Sequence, residues 1–428
     1  MTTEDYRPRV IDRLLSRKLR GKGAVLLEGA KWCGKTSTAE QQAKSVIYMS
    51  DSVRRDQYRL FLETDPKMIL DGDTPRLIDE WQRTPKLWDM VRFEVDHRRG
   101  MGQFILTGSA VPVKEDEVEH TGAGRIARLL MRPMSLWESG DSNGAVSLKE
   151  LFDNPISISG VNNQDLRKIA YLTCRGGWPQ AANLSDEEEI ALDQALDYYD
   201  VVVNADINRV DSTERSPERV KRLMRSYARS QGTQTSLAEI RKDMVANDQD
   251  SLDENTINSY LNILRKIFVV EDMAAWNPNL RSKTAIRSAN TRYFVDPSIA
   301  TAALGLGPDD LLNDLHTFGL FFETLCVRDL RVFAQALDGE VYHYRDKSGL
   351  ECDTVVHLRN GSYGLIEIKI GGDKLTEEGA ATLHKLAQKI DTTRMKAPSF
   401  LMVLTAVGSF AYRREDGVYV VPIGCLKD

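Results

Sequence analysis

Gly29-Ala30-Lys31-Trp32-Cys33-Gly34-Lys35-Thr36 fits the pattern G-x-x-x-x-G-K-[ST], and its residue types are those that phosphate chemistry needs. The glycines free backbone N–H groups to close on phosphate oxygens, and a helix opening near Lys35 turns the positive end of its dipole toward them. Lys35 is expected at the β- and γ-phosphates of ATP. Thr36 is expected to give its hydroxyl to Mg²⁺, which takes oxygen ligands and keeps several waters. The nucleotide-contacting set is Gly29 through Thr36 with Ser37 and, from a later strand, Thr107. Lys31, Trp32 and Cys33 make the loop bulkier than one built from small residues, but both glycines are intact.

A second acidic signal follows. Pro75-Arg-Leu-Ile-Asp-Glu80 ends an apolar run with two carboxylates, as expected where Asp79 holds the Mg²⁺ shell and Glu80 polarises the attacking water. A solvated strand end is the plainer alternative. Gln103-Phe-Ile-Leu-Thr-Gly-Ser109 ends in hydroxyls, so Thr107 or Ser109 is a candidate sensor of the γ-phosphate, although Thr-Gly-Ser is also ordinary turn chemistry. Arginines 92, 98, 99, 125 and 128 are candidates for neutralising transition-state charge, in cis or from a neighbouring subunit. Arg125, in Gly122-Ala-Gly-Arg125, is the first choice, against the alternative of a surface ion pair.

Far along the chain, Leu350-Glu-Cys-Asp353 and Leu365-Ile-Glu-Ile-Lys369 open and form two strands. Period-2 geometry puts Ile366, Ile368 and Ile370 on one face and Glu367 with Lys369 on the other. Asp353 and Glu367 on adjacent strands would bind Mg²⁺, with Lys369 positioning a water for attack on phosphate; a cross-strand ion pair on an exposed face is the alternative. Glu323, in a preceding helical pattern, is a further candidate carboxylate or part of a solvated helix face, and Tyr342, Tyr344 and Arg345 are candidate nucleic-acid contacts, although a half-exposed antiparallel strand explains the two tyrosines equally well.

The elements that must position these groups are legible in outline. Strand-like runs at Ala24–Glu28, Ser45–Ser50, Arg76–Glu80, Phe104–Thr107 and Arg128–Met131 alternate with helical stretches, the rhythm of a parallel α/β sheet. Gly, Asn, Ser and Asp gather at 140–144 and 153–163 and break that rhythm before a mainly helical region. Helices over Pro217–Ser230, Ser236–Met244 and Asp253–Phe268, then a strand at Val269–Met273, outline a winged helix with Ile257, Leu261 and Leu264 facing its core. Arg219, Lys221, Arg222, Arg225 and Arg229 make the first of those helices basic, which suits phosphate contacts or a solvated face equally. A helix over Leu311–Phe333 and strands at 341–345, 353–358, 364–370, 400–404 and 418–421, with a helix over Thr376–Ile390, complete a second α/β unit.

Bulk properties narrow the setting. A chain of 428 residues exceeds one ordinary hydrophobic core, and its net charge of −6 means that nucleic-acid contact needs a local basic surface. Cysteines at 33, 174, 326, 352 and 425 form no metal-ligand spacing, so reduced thiols and a cytoplasmic location are expected. Neither a secretory leader nor a membrane span is expected.

On the loop at 29–36, Leu-Ile-Asp-Glu-Trp-Gln82, Ile-Leu-Thr-Gly-Ser109, Gly-Arg125 and Arg-Gly-Gly-Trp-Pro179, the chain resembles the prokaryotic AAA-type P-loop ATPases that carry a C-terminal domain of unknown function. The Asp353, Glu367 and Lys369 pattern resembles the PD-(D/E)xK nuclease motif. The resemblance implies an α/β multidomain protein with an AAA+-like ATPase domain at 1–145, a helical lid at 146–210, a winged helix at 211–303 and a restriction-nuclease-like domain at 304–428. It also implies self-association. Two functions are compatible with it: an ATP-hydrolysing protein acting on or gated by DNA, with a metal-dependent nuclease under its control, or an ATP-switched scaffold whose nuclease-like domain is silent.

Overall fold

Alternate residues of Ala24-Val25-Leu26-Leu27 face opposite ways in a strand, so an all-apolar run needs cover on both sides. In the computed structural model the chain supplies it. Ala24 and Leu26 join Ile78, Phe104, Leu106, Trp81 and Trp88 in one core, while Val25 and Leu27 join Leu77, Ile105, Leu129 and helix residues Ile11, Leu14, Leu15 and Leu19 in another. Each fully buried aliphatic side chain contributes roughly 1.5–3 kcal/mol, which makes this two-sided sheet the rigid base of its unit.

The structure describes residues 6–109, 122–153, 158–184, 186–207, 215–245, 253–281 and 283–428. The breaks read in the sequence around residues 211–217 and 153–163 lie partly outside them, as does the 210/211 boundary. The chain divides into two compact units: Met1–Pro133 with Ala205–Glu214 and Ile263–Val269, and Met134–Asn204 with Arg215–Asn262 and Val270–Asp428.

The first unit holds a five-stranded parallel sheet of β1 (Ala24–Glu28), β2 (Ser45–Tyr48), β3 (Arg76–Asp79), β4 (Phe104–Gly108) and β5 (Ile126–Leu130), in the order β2-β3-β4-β1-β5. All connections therefore leave from one edge and return to the other. β4 lies between β1 and β3, with Leu26 beside Leu106 and Ile78 beside the same residue.

The second unit is built on a seven-stranded sheet. Its strands β8 (Gly339–Arg345), β9 (Glu351–Leu358), β10 (Tyr363–Lys369), β11 (Phe400–Thr405), β12 (Phe410–Arg413) and β13 (Tyr419–Pro422) are joined at the edge by β7 (Gly160–Val161), in the order β7-β12-β13-β11-β10-β9-β8. A separate two-stranded pair joins β6 (Val146–Ser147) to β14 (Leu426–Lys427). Helix Asp373–Lys389 covers one face through Ala380, Leu383 and Leu386 against Val355, Tyr363, Leu365 and Val403. The helix expected at Leu311–Phe333 is two helices, Pro308–Asn313 and Leu315–Ala336, because Asp314 leaves helical geometry and caps the second by accepting from Thr317 N at 3.2 Å.

Three helices occur at Pro217–Arg229, Leu237–Val245 and Glu254–Lys266, with Ile257, Leu261 and Leu264 buried. After the third, isolated antiparallel bridges, Val270 to Phe294 and Met273 to Thr291, stand where a continuous strand was expected. The Arg175-Gly176-Gly177-Trp178-Pro179 turn is bound down inside the same unit. A Cβ on Gly177 would lie 2.1 Å from the Met134 carbonyl oxygen, Gly177 N donates to Asp296 Oδ2 at 2.9 Å, and Trp178 Nε1 donates to Ser298 Oγ at 3.0 Å. Asp296 also receives Arg328 NH1 at 2.9 Å, and Arg328 pairs with Asp329, whose other oxygen accepts from Leu136 N.

Candidate functional sites

β1, β4 and β3 deliver their residues to the same carboxyl-terminal edge of the first sheet. The loop after β1 needs its glycines for stated reasons: a Cβ on Gly29 would lie 2.1 Å from the Met131 carbonyl oxygen, and Gly34 adopts φ +100°. Trp32 takes φ +63° and is 47% exposed, a left-handed conformation that costs an ordinary residue about 1–2 kcal/mol. Lys35 is buried and folds back over the loop, donating to the carbonyls of Gly29 at 3.0 Å and Ala30 at 2.7 Å. Lys31 is paired with Asp206, and Cys33 is buried with its Sγ 3.5 Å from Met131 O.

Asp79 is the point where three elements meet. Its Oδ1 accepts from Thr36 Oγ1 at 2.7 Å and from Thr107 Oγ1 at 2.6 Å. Thr36 belongs to the helix Lys35–Glu40, Thr107 to β4 and Asp79 to β3, so the inserted position of β4 is what makes the junction possible. A carboxylate with two hydroxyls is the oxygen donor set that Mg²⁺ takes, and Thr36 and Asp79 would hold it. Glu80, next to it, turns into left-handed geometry at φ +57° and accepts from Gln82 Nε2 at 2.6 Å. Ser109 is buried beyond the end of β4.

In the second unit Asp353 on β9 and Glu367 and Lys369 on β10 are brought together. Lys369 Nζ stands 3.0 Å from Asp353 Oδ2 and 2.7 Å from Glu367 Oε2, and Ile368 N also donates to Asp353 Oδ2 at 2.8 Å. This is no pair on an exposed face. Glu367 is 4% exposed beneath helix Asp373–Lys389, where a Cβ on Gly379 would touch Glu367 Cβ at 3.4 Å. Burial and then Asp353 push the Glu367 carboxyl up to about 8, and the same two causes raise Glu323 to about 8. Burial pulls Lys369 down, but Asp353 and Glu367 outweigh it and keep it cationic. Glu323 accepts from Tyr293 OH and interacts electrostatically with Asp353, Lys369 and Glu367. Glu367 Oε1 is buried and has no hydrogen-bond partner among the described residues.

Family comparisons fall in three consecutive stretches. Residues 21–139 match the AAA domain family. This part of the chain is a P-loop ATPase domain. Residues 166–310 match a domain of unknown function (DUF8612), and residues 318–426 match another (DUF4143). Uncharacterized proteins of Mycobacterium bovis and Mycobacterium tuberculosis are each 24% identical to this chain over 360 residues, covering 83% of it and 72% of their own length. The Walker-type ATPase PABY2304 of Pyrococcus abyssi aligns with a TM-score of 0.45 at 16% identity, over 70% of this chain and 97% of that one.

Within the ATPase domain Arg125 stands apart from the loop. Its carbonyl accepts from Ala24 N, at the amino-terminal edge of β1, and its side chain pairs with Asp96 Oδ1 at 2.9 Å on the surface. A five-residue strand, about 16 Å long, separates that edge from Gly29. Arg128 pairs with Glu28 and lies over Trp88, Arg92 pairs with Asp89 and Asp96, and Arg98 pairs with Glu94 and Asp71. Tyr344 is buried and donates to Asp346 Oδ2 at 2.8 Å, so it offers no face to a base; Tyr342 donates to Glu340 and Arg345 pairs with Glu351.

One supporting residue has no motif. Arg9 sends NH1 to Cys33 O and NH2 to Arg132 O, both at 2.8 Å, tying the phosphate loop to the chain after β5. Asp12, which accepts from Arg9 N at 2.8 Å, also receives Tyr6 OH, which in turn reaches Thr38 at 2.9 Å. An isolated arginine ahead of an amphipathic helix carries no pattern that would have selected it.

Proposed function

We propose that the ATPase domain hydrolyses Mg²⁺·ATP to control a metal-dependent attack on nucleic acid, DNA in the first instance, at Asp353, Glu367 and Lys369. Binding and hydrolysis of ATP follow from the domain; the coupling to DNA and the nuclease-like fold are the proposal. In the ATPase site Lys35 leaves the loop carbonyls for the β/γ-phosphates, Thr36 and Asp79 hold Mg²⁺, Glu80 orients the attacking water and Thr107 keeps Asp79 in place. Arg125 lies at the far edge of the sheet from its own loop, which favours action on the nucleotide of a neighbouring copy in a homo-oligomer. The helices at 217–266 serve as a winged-helix module in this reading, with Arg225 and Arg229 on its exposed face. A cytoplasmic location accords with five free cysteines and, among the described residues, with no helix long and apolar enough to cross a membrane.

The observation that carries the nuclease reading is the buried, partnerless Glu367 Oε1 beside Lys369 and Asp353. An orphaned carboxylate oxygen is costly, and a Mg²⁺ ion held by one or two carboxylates and otherwise by water and phosphate would satisfy it. Lys369 would then turn its ammonium to the attacking water or the scissile phosphate. A second reading is favoured by a different fact: among the described residues no group of three or more His, Cys, Asp or Glu is arranged to hold a metal. Under it the chain is an ATP-switched scaffold with a silent nuclease-like domain.

Incubation of the purified protein with Mg²⁺, ATP and DNA or RNA separates the two. The first reading expects cleavage that Lys369→Ala abolishes while ATP turnover persists, and that Lys35→Ala uncouples from ATP. Turnover without cleavage on any nucleic acid sinks it and leaves the scaffold reading standing.

A further inference from the structure

Beside the ATP site, the first unit carries a cleft of about 370 Å³ lined by Met49, Arg55, Tyr58, Arg59, Leu62, Arg83 and Thr84. Arg55, Tyr58, Arg59 and Leu62 are spaced i, i+3, i+4 and i+7, so they form one face of helix Arg55–Thr64. Such a face ordinarily buries apolar side chains; here half of it is guanidinium. Arg83 arrives from the turn Trp81–Arg83, a different element. All three arginines are exposed, and among the described residues none has a hydrogen-bond or ion-pair partner.

Three like charges lining one cleft, with no ion-pair partner among the described residues, repel one another, and Arg55 sits in the first turn of its helix, where the dipole favours anions. Among the described residues no ion pair or hydrogen bond within this unit repays that arrangement. An anion would. Guanidinium groups match phosphate bidentately, and an open groove with arginines on both walls and Met49, Leu62 and Tyr58 on its floor suits a chain of phosphates with attached apolar rings. The location also matters. Met49 N donates to the Asp79 carbonyl at 3.1 Å, and Arg83 shares its turn with Gln82, which holds Glu80. An occupant gripping Arg83 would therefore act within one turn of the carboxylate assigned to the attacking water.

We propose that Arg55, Arg59 and Arg83 form a binding site for the phosphate backbone of single-stranded nucleic acid on the ATPase domain. It deepens the proposed action on nucleic acid but uses none of the C-terminal carboxylates. The test is fluorescence anisotropy of a labelled twelve-residue oligothymidylate with the full chain in a Lys369→Ala background, so that failure of the cleavage reading leaves this readout untouched. Each single-strand phosphate that is no longer neutralised lowers the salt slope by about 0.7, and at 0.1 M salt the release of two phosphates weakens binding roughly 25-fold. Arg55→Gln/Arg59→Gln is expected to show a slope lower by about 1.4 and the roughly 25-fold loss, and Arg83→Gln a slope lower by about 0.7 with a loss of roughly 5-fold. Lys149→Gln/Lys374→Gln, which removes the same charge from exposed lysines elsewhere, is expected to bind as the parent does. Parental affinity and slope in the arginine variants overturn the proposal, as does an equal loss in the lysine control. Displacement of the oligonucleotide by polyglutamate at equal charge concentration overturns it too, since the site would then be one for acidic peptide.

Discussion

Thr107→Val tests the reading of the ATP site at its narrowest point. Valine fills nearly the volume of threonine, and Thr107 is 1% exposed, so the change removes a hydroxyl and little else. What is lost is one of two hydrogen bonds to Asp79 Oδ1, the one at 2.6 Å, leaving Thr36 at 2.7 Å to hold the carboxylate. A hydrogen bond to a charged group contributes about 1.5–3 kcal/mol. If that energy serves to keep Asp79 oriented for the Mg²⁺ shell, its loss lowers turnover by about 10- to 150-fold, at about 1.4 kcal/mol per decade. Phosphate release under saturating Mg²⁺·ATP reads the effect, and thermal melting of the same sample reports whether the fold survives. Thr107→Ser keeps the hydroxyl and is expected to stay near the parental rate while losing about 1 kcal/mol of packing. A valine variant that turns over within about threefold of the parent, or a serine variant as slow as valine, refutes the assignment of Thr107.

Gly29→Ala drives a Cβ to 2.1 Å from the backbone oxygen of Met131, an atom that cannot rotate away, so the loop must deform. Loss of fluorescent ATP-analogue binding together with about 1–3 kcal/mol of stability is expected, and unchanged binding would show that the close approach is not needed. Arg328→Ala leaves Asp296 and Asp329 buried without their cation and is expected to cost about 3–5 kcal/mol by urea unfolding, whereas under 1 kcal/mol would mean water replaces the guanidinium. Although burial opposes it, Lys389, Ser348 and Tyr344 hold the Asp346 carboxyl well below its ordinary 3.8. The stability it contributes is therefore present above about pH 4 and lost as pH falls further. Asp346→Asn should flatten that acid limb of a pH–stability curve, and an unchanged limb would assign it to other groups.

The five parallel strands of the ATPase domain were legible because each is a short apolar run bounded by turn residues, and local pattern is enough for that. Their order was not. The apolar run Phe104–Gly108 does not itself say that it lies between β1 and β3; only the order of a P-loop sheet would set it beside the strand of Asp79, and that insertion is what brings Thr107 to Asp79. The C-terminal cluster shows the same division. Period 2 placed Glu367 and Lys369 on one face, but burial of that face depends on helix Asp373–Lys389, which packs across it from later in the chain. The burial of Tyr344, a candidate nucleic-acid contact or half-exposed strand residue by sequence, has the same cause: alternation gives the side, and only the third dimension says what covers it. β7, a two-residue strand inside the 153–163 stretch that read as a break, pairs with β12 some 250 residues away in a register that no side-chain pattern encodes. Arg9 is the extreme case, since it acts entirely on carbonyl oxygens of distant residues.

The two carboxylate sites differ in where their counter-charge comes from, and that difference bears on what each can do. Among the described residues no cation lies within ion-pair distance of Asp79, and Lys35 spends its ammonium on two carbonyl oxygens rather than on an acid. A buried anion and a buried cation separated by Thr36 without meeting are expensive to keep, and under the proposed function each is relieved by a ligand: a divalent cation for Asp79, a phosphate for Lys35. Under the proposed function the site is in this sense incomplete until Mg²⁺·ATP arrives. The C-terminal cluster has Lys369 inside it, bridging Asp353 and Glu367, while burial and then Asp353 push the Glu367 and Glu323 carboxyls upward. Such a cluster has its counter-charge without a metal, and a cation entering it must displace the lysine. Nuclease chemistry there requires Lys369 to be released from its two carboxylates, which makes Lys369→Ala decisive: it removes a catalytic group under one reading, and under the other only an ion pair.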